Sequence, residues 1–503
     1  MAKNSLARGT SILFAGNLLN RLIGFFFRVY LIRLIGTEGI GLYQRVTSLF
    51  FTLLIITTAG LPAAVPILVA AETGRRNYAE VHRLTRLAFG LIIFAGLIMS
   101  ILTAGLAAPI VARLLGDERA FPALAAMAPA LFFCAGTAIL RGYFQGTRQM
   151  APIAASQVAE EILQVLITAV LLYRSHPLTL DTAVTCLATG FVGSEIGGFL
   201  VASLAYLRCR RLDLAGAIAA TPGEPQLLRQ MFRLAAPMTL YRLVLSLTSS
   251  LTAILVPARL LAAGLPLSEA TAQYGQLTGI AVTLVFLPTV FTQALNANLV
   301  PAIAEVAAQP NRQAVRSRIR KAVKITYLVG LPIAALISRF AGHVTAFLFR
   351  TPEAGGPLTV LAAGAVFLYL HQISSGLLNG LGRTPIPLRH TTIANAFSLT
   401  AVYYLTAVPS LGIRGAAAGL TVGYALGCLL NFRTLHRLTG SLFDVPHLIK
   451  TVASTFFAAL VAGEIYKLAS FAAGGAEALL LAGGTACLVY AGLLFFLRAF
   501  RTD

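Results

Sequence analysis

The stretch LAFGLIIFAGLIMSILTAGLAAPIVA (Leu87–Ala112) runs for 26 residues without a charged side chain. A helix needs roughly 20 apolar residues to cross a bilayer, so this stretch is long enough to span a membrane. Similar runs recur along the chain, among them the 21 residues of Ala120–Leu140. The 503 residues are 57% hydrophobic and 11% charged, whereas soluble domains have about half and about a quarter. The sequence therefore predicts a membrane protein with many spans.

These runs predict helices, because they are too long for barrel strands and lack period-two alternation. Breaking the chain at charged, glycine-rich or proline-rich punctuation predicts about fourteen spans, at 10–35, 40–70, 84–112, 121–146, 152–174, 180–208, 230–257, 271–307, 318–347, 355–382, 387–408, 412–436, 447–470 and 475–498. The predicted fold class is an all-α polytopic membrane protein. The predicted domains are an N-terminal six-helix bundle (1–211), a cytoplasmic linker (212–228), a C-terminal six-helix bundle (229–440) and two additional transmembrane helices (441–503).

The distribution of positive charge predicts the orientation. The net charge is +21, and alternate interhelical segments carry 26 and 9 of the basic residues. Cytoplasmic loops of membrane proteins are enriched in Lys and Arg, so both termini are predicted to be cytoplasmic. Clusters such as NRQAVRSRIRKAVK (311–324) are then expected to lie against anionic lipid headgroups. This distribution argues against a nucleic-acid partner.

Of the 39 basic residues, 26 and 9 are assigned to the segments between spans or to span ends, and four arginines remain in span interiors: Arg21, Arg28, Arg45 and Arg242. A cation at the bilayer centre costs about 3 kcal/mol or more, so such residues usually face a protein interior or water. Asn17, Arg21 and Arg28 share one helix face, because seven residues make almost two turns. Snorkelling from the helix end is the alternative for Arg28, whereas Arg21 is too deep for it. Polar contacts between helices explain the Thr and Ser residues beside Arg242 as well as a binding site does.

Intramembrane acids are fewer, and three of them are candidates for ion coupling: Glu160, Glu161 and Glu195. Structural ion pairs with the arginines are the alternative. Coupling to H+, to Na+ or to the membrane potential is left open by the sequence. The five cysteines lack paired spacing, so we predict no metal site, and we expect no other cofactor.

A weak internal repeat relates the two halves of the chain. A shift of 231 residues places Arg28 on Arg259 and Arg45 on Gln276. Two six-helix halves in the same orientation are typical of transporters. The second half offers amides, including Gln276 and Asn296, where the first half offers cations. We therefore predict a ligand with an anionic group and a polyhydroxylated part, since guanidinium forks match phosphate and amides pair with sugar hydroxyls.

With this arrangement, the run GTEGIGLYQRVTSLFFTLLIITTAGLPAAVPILVAAE (36–72) resembles the MOP flippase superfamily of multidrug, oligosaccharidyl-lipid and polysaccharide exporters. Within it, the chain resembles the polysaccharide biosynthesis and stage V sporulation protein B branch, which is related to the peptidoglycan lipid II flippases. The resemblance implies a MATE-like fold and a multi-pass protein of the bacterial cytoplasmic membrane. It also implies that the protein is not an enzyme.

The resemblance implies flipping of an isoprenoid-diphosphate-linked saccharide, such as a polysaccharide or peptidoglycan precursor, by alternating access. Arginines of the first two helices bind the diphosphate in the related flippases, and the matching positions are Arg21, Arg28 and Arg45. The eighth span, 271–307, departs from that pattern because it has no arginine. Arg242 and Arg259 are expected to compensate. A cell-envelope synthase or polymerase is a further expected partner, besides the bilayer.

Two other functions remain open from the residues. A multidrug or cation antiporter of the same fold would need a negatively charged site. A membrane-embedded glycosyl- or acyltransferase would need paired carboxylates or a histidine constellation near an aqueous loop. Asp117, Glu118 and Asp181 look like isolated loop acids, which argues against an enzyme.

Overall fold

The computed structural model describes residues 2–175, 177–213, 224–307, 312–440, 442–472 and 474–497. Within these ranges the chain forms α-helices, short 3-10 and π-helical segments, and no strand. Contacts divide the chain into two compact units, Met1–Ile254 and Leu255–Asp503. The all-α polytopic fold class is thereby confirmed. The domain boundaries at 211 and 229 stay a prediction.

Helices α1 to α8 belong to the first half of the chain, and α8 continues past the boundary between the units. Their bounds are α1 Ala2–Thr58, α2 Leu61–Gly74, α3 Tyr78–Ile110, α4 Phe121–Met127, α5 Ala130–Gly146, α6 Met150–Arg174, α7 Leu180–Asp213 and α8 Glu224–Ala262. The second unit contains α9 Leu267–Gly275, α10 Val282–Phe286, α11 Thr289–Ala307, α12 Arg312–Arg339, α13 Ala341–Phe349, α14 Gly355–Ala363, α15 Ala365–Gly380, α16 Pro385–Thr406, α17 Ile413–Thr439, α18 Val445–Ala472 and α19 Gly475–Phe496.

Among the described helices, eight are long and apolar enough to cross a membrane, or up to twelve if each of four bent pairs is one span. The fourteen predicted spans exceed this number at two places. The first two predicted spans lie in α1, where two helical stretches meet at a kink at Gly36, whose φ and ψ are not helical. Helix α16 has the necessary length but is not among the sufficiently apolar helices.

Small residues allow the helices of the first unit to pack closely. Gly193 and Gly197 of α7 lie against Ile167 and Leu163 of α6, so this Gly-x-x-x-Gly pair packs helices within the chain. Gly60, at the corner between α1 and α2, has φ 69° and lies against α8, where a Cβ would meet the Ala235 carbonyl at 2.7 Å. This close packing fixes the positions of the charged side chains that the helices carry.

Gly36 carries the kink of α1 in a conformation that L-residues avoid. Its φ is 74° and its ψ is 177°, a region occupied almost only by glycine. Open space surrounds its Cα, so a methyl group would meet only backbone strain. We expect Gly36→Ala to lower the free energy of unfolding by about 1–3 kcal/mol, measured by thermal unfolding in detergent.

The matched control is Gly90→Ala in α3. A Cβ at Gly90 also meets open space, but this glycine has helical backbone. Because alanine is the better helix former, we expect Gly90→Ala to be neutral or to stabilise by about 0.5–1 kcal/mol. Equal melting temperatures for Gly36→Ala and Gly90→Ala would contradict the predicted backbone strain at position 36.

Candidate substrate site in the N-terminal unit

The guanidinium of Arg28 meets a neutral amide across the kink of α1. With the Gln44 amide oriented so that its oxygen faces Arg28, Nη1 and Nη2 donate to that oxygen at 2.9 and 3.1 Å. Arg28 is half-buried, as is Arg21 two turns before it. Both arginines precede Gly36, whereas Gln44 follows it.

Helix α6 lies against the same face of α1. A Cβ at Gly24 would come within 2.7 Å of Glu161 Oε1, so the carboxylate lies directly beside the α1 backbone. Glu161 is also close enough to Arg28, one turn further along, to interact with it electrostatically. The absence of a side chain at Gly24 therefore makes room for an acid next to the cation.

A second ion pair lies between α5 and α6. Arg141 Nη2 is 2.6 Å from Glu160 Oε2, and Arg141 Nε donates to Ser156 Oγ at 3.0 Å. A Cβ at Gly198 of α7 would collide with the Glu160 side chain, so this glycine leaves space for the carboxylate. Arg141 lies within the predicted span 121–146, near its cytoplasmic end, and the structure places it in α5 with Glu160 as its partner.

Glu195 of α7 joins the same group of charges. It accepts a hydrogen bond from the Cys134 thiol and lies near Glu160 and Arg141. The three candidate coupling acids are therefore brought together with Arg28 and Arg141. We call these five side chains, Arg28, Arg141, Glu160, Glu161 and Glu195, the charged cluster; it contains three carboxylates and two guanidinium groups.

Arg45 lies in a different environment, buried with an acid that the sequence placed in a loop. Arg45 is 1% exposed and Asp117 is 2% exposed. Arg45 Nη1 is 3.5 Å from Asp117 Oδ2, and its other nitrogens donate to the carbonyls of Leu115 and Ala253. Asp117 also accepts from Arg119 at 2.8 and 2.9 Å. The interpretation of Asp117 as an isolated loop acid was wrong.

The polar residues of α8 form a contact with the second half of α1. Thr52 Oγ1 lies 2.7 and 2.8 Å from the hydroxyls of Ser246 and Ser250. Ser250 donates in turn to the Ser48 carbonyl at 2.8 Å. These bonds match the helix-contact interpretation of the Ser and Thr set, and Arg242 itself is exposed on α8.

Arg259 and Asn296, two of the site residues predicted in the second half, contact residues of the second unit. Arg259 Nε donates to the Tyr403 carbonyl at 3.1 Å, and its guanidinium carbon lies 4.2 Å from the centre of the Tyr403 ring. Asn296 Nδ2 donates to the Gln372 carbonyl at 3.1 Å. Gln276 is partly buried in a π-helical segment.

The structure thus brings Arg28 together with Glu160, Glu161 and Glu195, and places Arg45 in a separate buried network. Arg21 lies on the same helix as Arg28. The side chain of Asn17 lies outside the described residues. Arg141, Gln44 and Asp117 complete these environments, and sequence reasoning did not assign them to a site. Chemically, a guanidinium fork beside titratable carboxylates can bind a phosphate group and respond to protonation.

Comparisons with known proteins agree with this architecture. A family model described as "Polysaccharide biosynthesis protein" matches residues 6–306. The chain is 29% identical over 510 residues to the stage V sporulation protein B of Bacillus subtilis (strain 168), covering 100% of this chain and 97% of that protein. It is 22% identical over 498 residues to the lipid II flippase MurJ of the same strain, covering 94% and 89%. A solved structure of the lipid II flippase MurJ in an inward closed conformation has a TM-score of 0.74 at 15% identity, covering 97% and 99%.

Proposed function

The chain belongs to the polysaccharide biosynthesis protein family, and we propose that it flips an isoprenoid-diphosphate-linked saccharide across the cytoplasmic membrane by alternating access. The membership confirms the resemblance to the MOP superfamily that residues 36–72 carry. The relatives with the names stage V sporulation protein B and lipid II flippase MurJ support a flippase. The protein is then a multi-pass transporter of the bacterial cytoplasmic membrane with both termini inside. A polysaccharide or peptidoglycan synthase is a proposed partner.

The observation that carries the proposal is the difference between the partners of three arginines. Arg45 and Arg141 lie 3.5 and 2.6 Å from carboxylate oxygens. The Arg28 fork donates to the neutral amide oxygen of Gln44, with the Glu161 carboxylate close enough to interact electrostatically. Hydrogen bonds between two ionised groups are roughly twice as strong as neutral ones. A diphosphate can therefore displace Gln44 from Arg28 more easily than it can displace an acid from Arg45 or Arg141.

The charge balance of the cluster supports a coupling role for its acids. Three carboxylates face two guanidinium groups in this cluster, so it contains one more acid than cation. A cation antiporter would also need such an excess of acid, which is why it is the second candidate. We propose a proton as the coupling ion and Glu195, which accepts a hydrogen bond from the Cys134 thiol, as its carrier.

Removing the Glu195 charge tests this coupling. Glutamine mimics the neutral form of the carboxyl but cannot bind or release a proton. We therefore expect headgroup translocation by Glu195→Gln to lose its dependence on pH. The measurement is the translocation rate in proteoliposomes at several pH values, with Glu464→Gln as the control, because Glu464 is exposed and paired with Lys467. A Glu195→Gln protein that keeps the wild-type pH profile would contradict the coupling role.

A cation antiporter of the same fold is the second candidate, and one experiment separates the two. Purified protein is reconstituted in liposomes with a fluorescent isoprenoid-diphosphate saccharide, and the exposure of the headgroup to a membrane-impermeant quencher is followed. A parallel sample contains a fluorescent organic cation. We expect translocation of the lipid-linked saccharide and no transport of the cation. Transport of the cation alone would overturn the proposal.

A further inference from the structure

A basic cavity lies in the second unit, between the start of α12 and the segment that joins α17 to α18. Its volume is about 780 Å³, and four cationic side chains line it: Arg316, Arg320, Lys321 and Lys324. The opposite wall contains Phe443, Asp444 and His447. This end of α12 is the end that the sequence predicts to be cytoplasmic.

The cations are presented to the cavity because the first turns of α12 are amphipathic. Val315, Ile319 and Ala322 are buried in the core of the second unit. Arg316, Arg320 and Lys324 are spaced by four residues and therefore form one stripe along the helix. The packing of α12 thus fixes a row of positive charge along one wall.

The opposite side of the cavity packs against Arg316 and contributes one negative charge, that of Asp444. A Cβ at Gly440, which ends α17 with φ 82°, would lie 3.4 Å from the guanidinium carbon of Arg316. Partial burial acts to raise the pKa of Asp444, but hydrogen bonds from the His447 side chain and backbone outweigh it and keep the pKa below its ordinary value. Asp444 therefore stays ionised, and the four cations leave the cavity with a positive excess.

A second, mainly apolar cavity of about 350 Å³ shares Phe443 with the basic one, and Arg433 and His436 supply its polar lining. Its other apolar walls come from Leu429, Leu430, Phe432 and Leu442. Phe443 stacks on Phe432 with ring centres 4.9 Å apart, so the shared wall is anchored. A ligand that fills both cavities must carry an anionic group and a hydrocarbon chain.

We propose that this pair of cavities binds an anionic phospholipid, with the phosphate headgroup among Arg316, Arg320, Lys321 and Lys324 and an acyl chain against Phe443 and Leu429. The site is separate from the charged cluster of the first unit and does not depend on which saccharide is transported. Arginine and lysine side chains near a lipid surface bind anionic headgroups. The neighbouring apolar walls distinguish a lipid from a soluble phosphate.

Lipid binding to the purified, delipidated full chain in detergent tests this site. The probes are fluorescent phosphatidylglycerol and fluorescent phosphatidylcholine, and the readout is fluorescence anisotropy. We expect wild type to prefer phosphatidylglycerol. We expect Arg320→Gln/Lys321→Gln to bind it about 30-fold more weakly, since each cation near an anionic headgroup contributes about a factor of five.

The matched control is Arg383→Gln/Arg389→Gln, which removes two exposed cations from the same predicted membrane side but outside the cavity. We expect it to bind like wild type. Equal weakening by both double variants would overturn the site in favour of general surface charge. Thermal unfolding of each variant verifies that it is folded.

The apolar cavity is tested with Leu429→Ser and a soluble competitor. Leu429 is 65% exposed, so this substitution is expected to leave the fold intact. We expect weaker phosphatidylglycerol binding by Leu429→Ser, and no competition from glycerol phosphate at concentrations comparable with the lipid. Competition by glycerol phosphate at such concentrations would overturn the lipid proposal, since the site would then recognise a soluble phosphate.

Discussion

Arg28→Ala is expected to slow headgroup translocation about a hundred-fold. A hydrogen bond to a charged group contributes about 1.5–3 kcal/mol, and a hundred-fold change in rate corresponds to about 2.7 kcal/mol. The guanidinium lies in the membrane-embedded first unit, half-buried, with its fork on the Gln44 amide. Alanine removes both donors, and a diphosphate that enters the site then loses its bidentate partner. The measurement is the initial rate of quencher-detected translocation in proteoliposomes.

Two variants make this result specific. Arg28→Lys keeps the charge but not the planar fork, so we expect an intermediate rate. Arg33→Ala removes an exposed cation from the same helix and is expected to keep the wild-type rate. Translocation by Arg28→Ala at the wild-type rate, in correctly folded protein, would mean that Arg28 is structural.

Asp117→Ala is expected to lower the free energy of unfolding by about 3–5 kcal/mol, the usual cost of leaving one member of a buried ion pair alone. Asp117 accepts two hydrogen bonds from Arg119 and lies beside Arg45, which is 1% exposed. Without the carboxylate, the buried Arg45 guanidinium loses its Asp117 partner and keeps its hydrogen bonds to the Leu115 and Ala253 carbonyls. Unfolding in detergent by heat or by added denaturing detergent measures the loss.

The double variant Arg45→Leu/Asp117→Ala tests the cause. The double variant removes the buried Arg45 guanidinium together with its Asp117 carboxylate. We therefore expect it to be more stable than Asp117→Ala, which removes only the carboxylate. Additive losses in the double variant would contradict a buried pair. Glu118→Ala, one residue along, is the control and should be close to wild type because Glu118 is exposed.

The membrane fold was predictable because it depends on composition and run length, which are local properties of the sequence. The described helices give eight to twelve spans, and only a division of α1 at Gly36 and the inclusion of α16 would bring the number to the fourteen predicted. Glycine allows the positive φ at this position, but the sequence alone does not show that two helical stretches meet there in a kink. The unusual conformation of Gly36 was therefore found only in the structure.

The candidate site was only partly predictable, because ion pairs join residues far apart in the chain. The sequence identified Arg28, Glu160 and Glu161 as intramembrane charges. It did not identify Arg141 as the partner of Glu160 or Asp117 as the partner of Arg45, because both partners lie near helix ends. Their burial results from helix packing, for which one sequence gives no direct signal.

The most direct test of the central claim compares two lipid-linked saccharides that differ only in having a diphosphate or a monophosphate. Translocation of both is measured in the same proteoliposomes for wild type and for Arg28→Gln. We predict that wild type prefers the diphosphate and that Arg28→Gln loses this preference, because Arg28 recognises the additional phosphate. An unchanged preference in folded Arg28→Gln would contradict the assignment of Arg28 to the diphosphate.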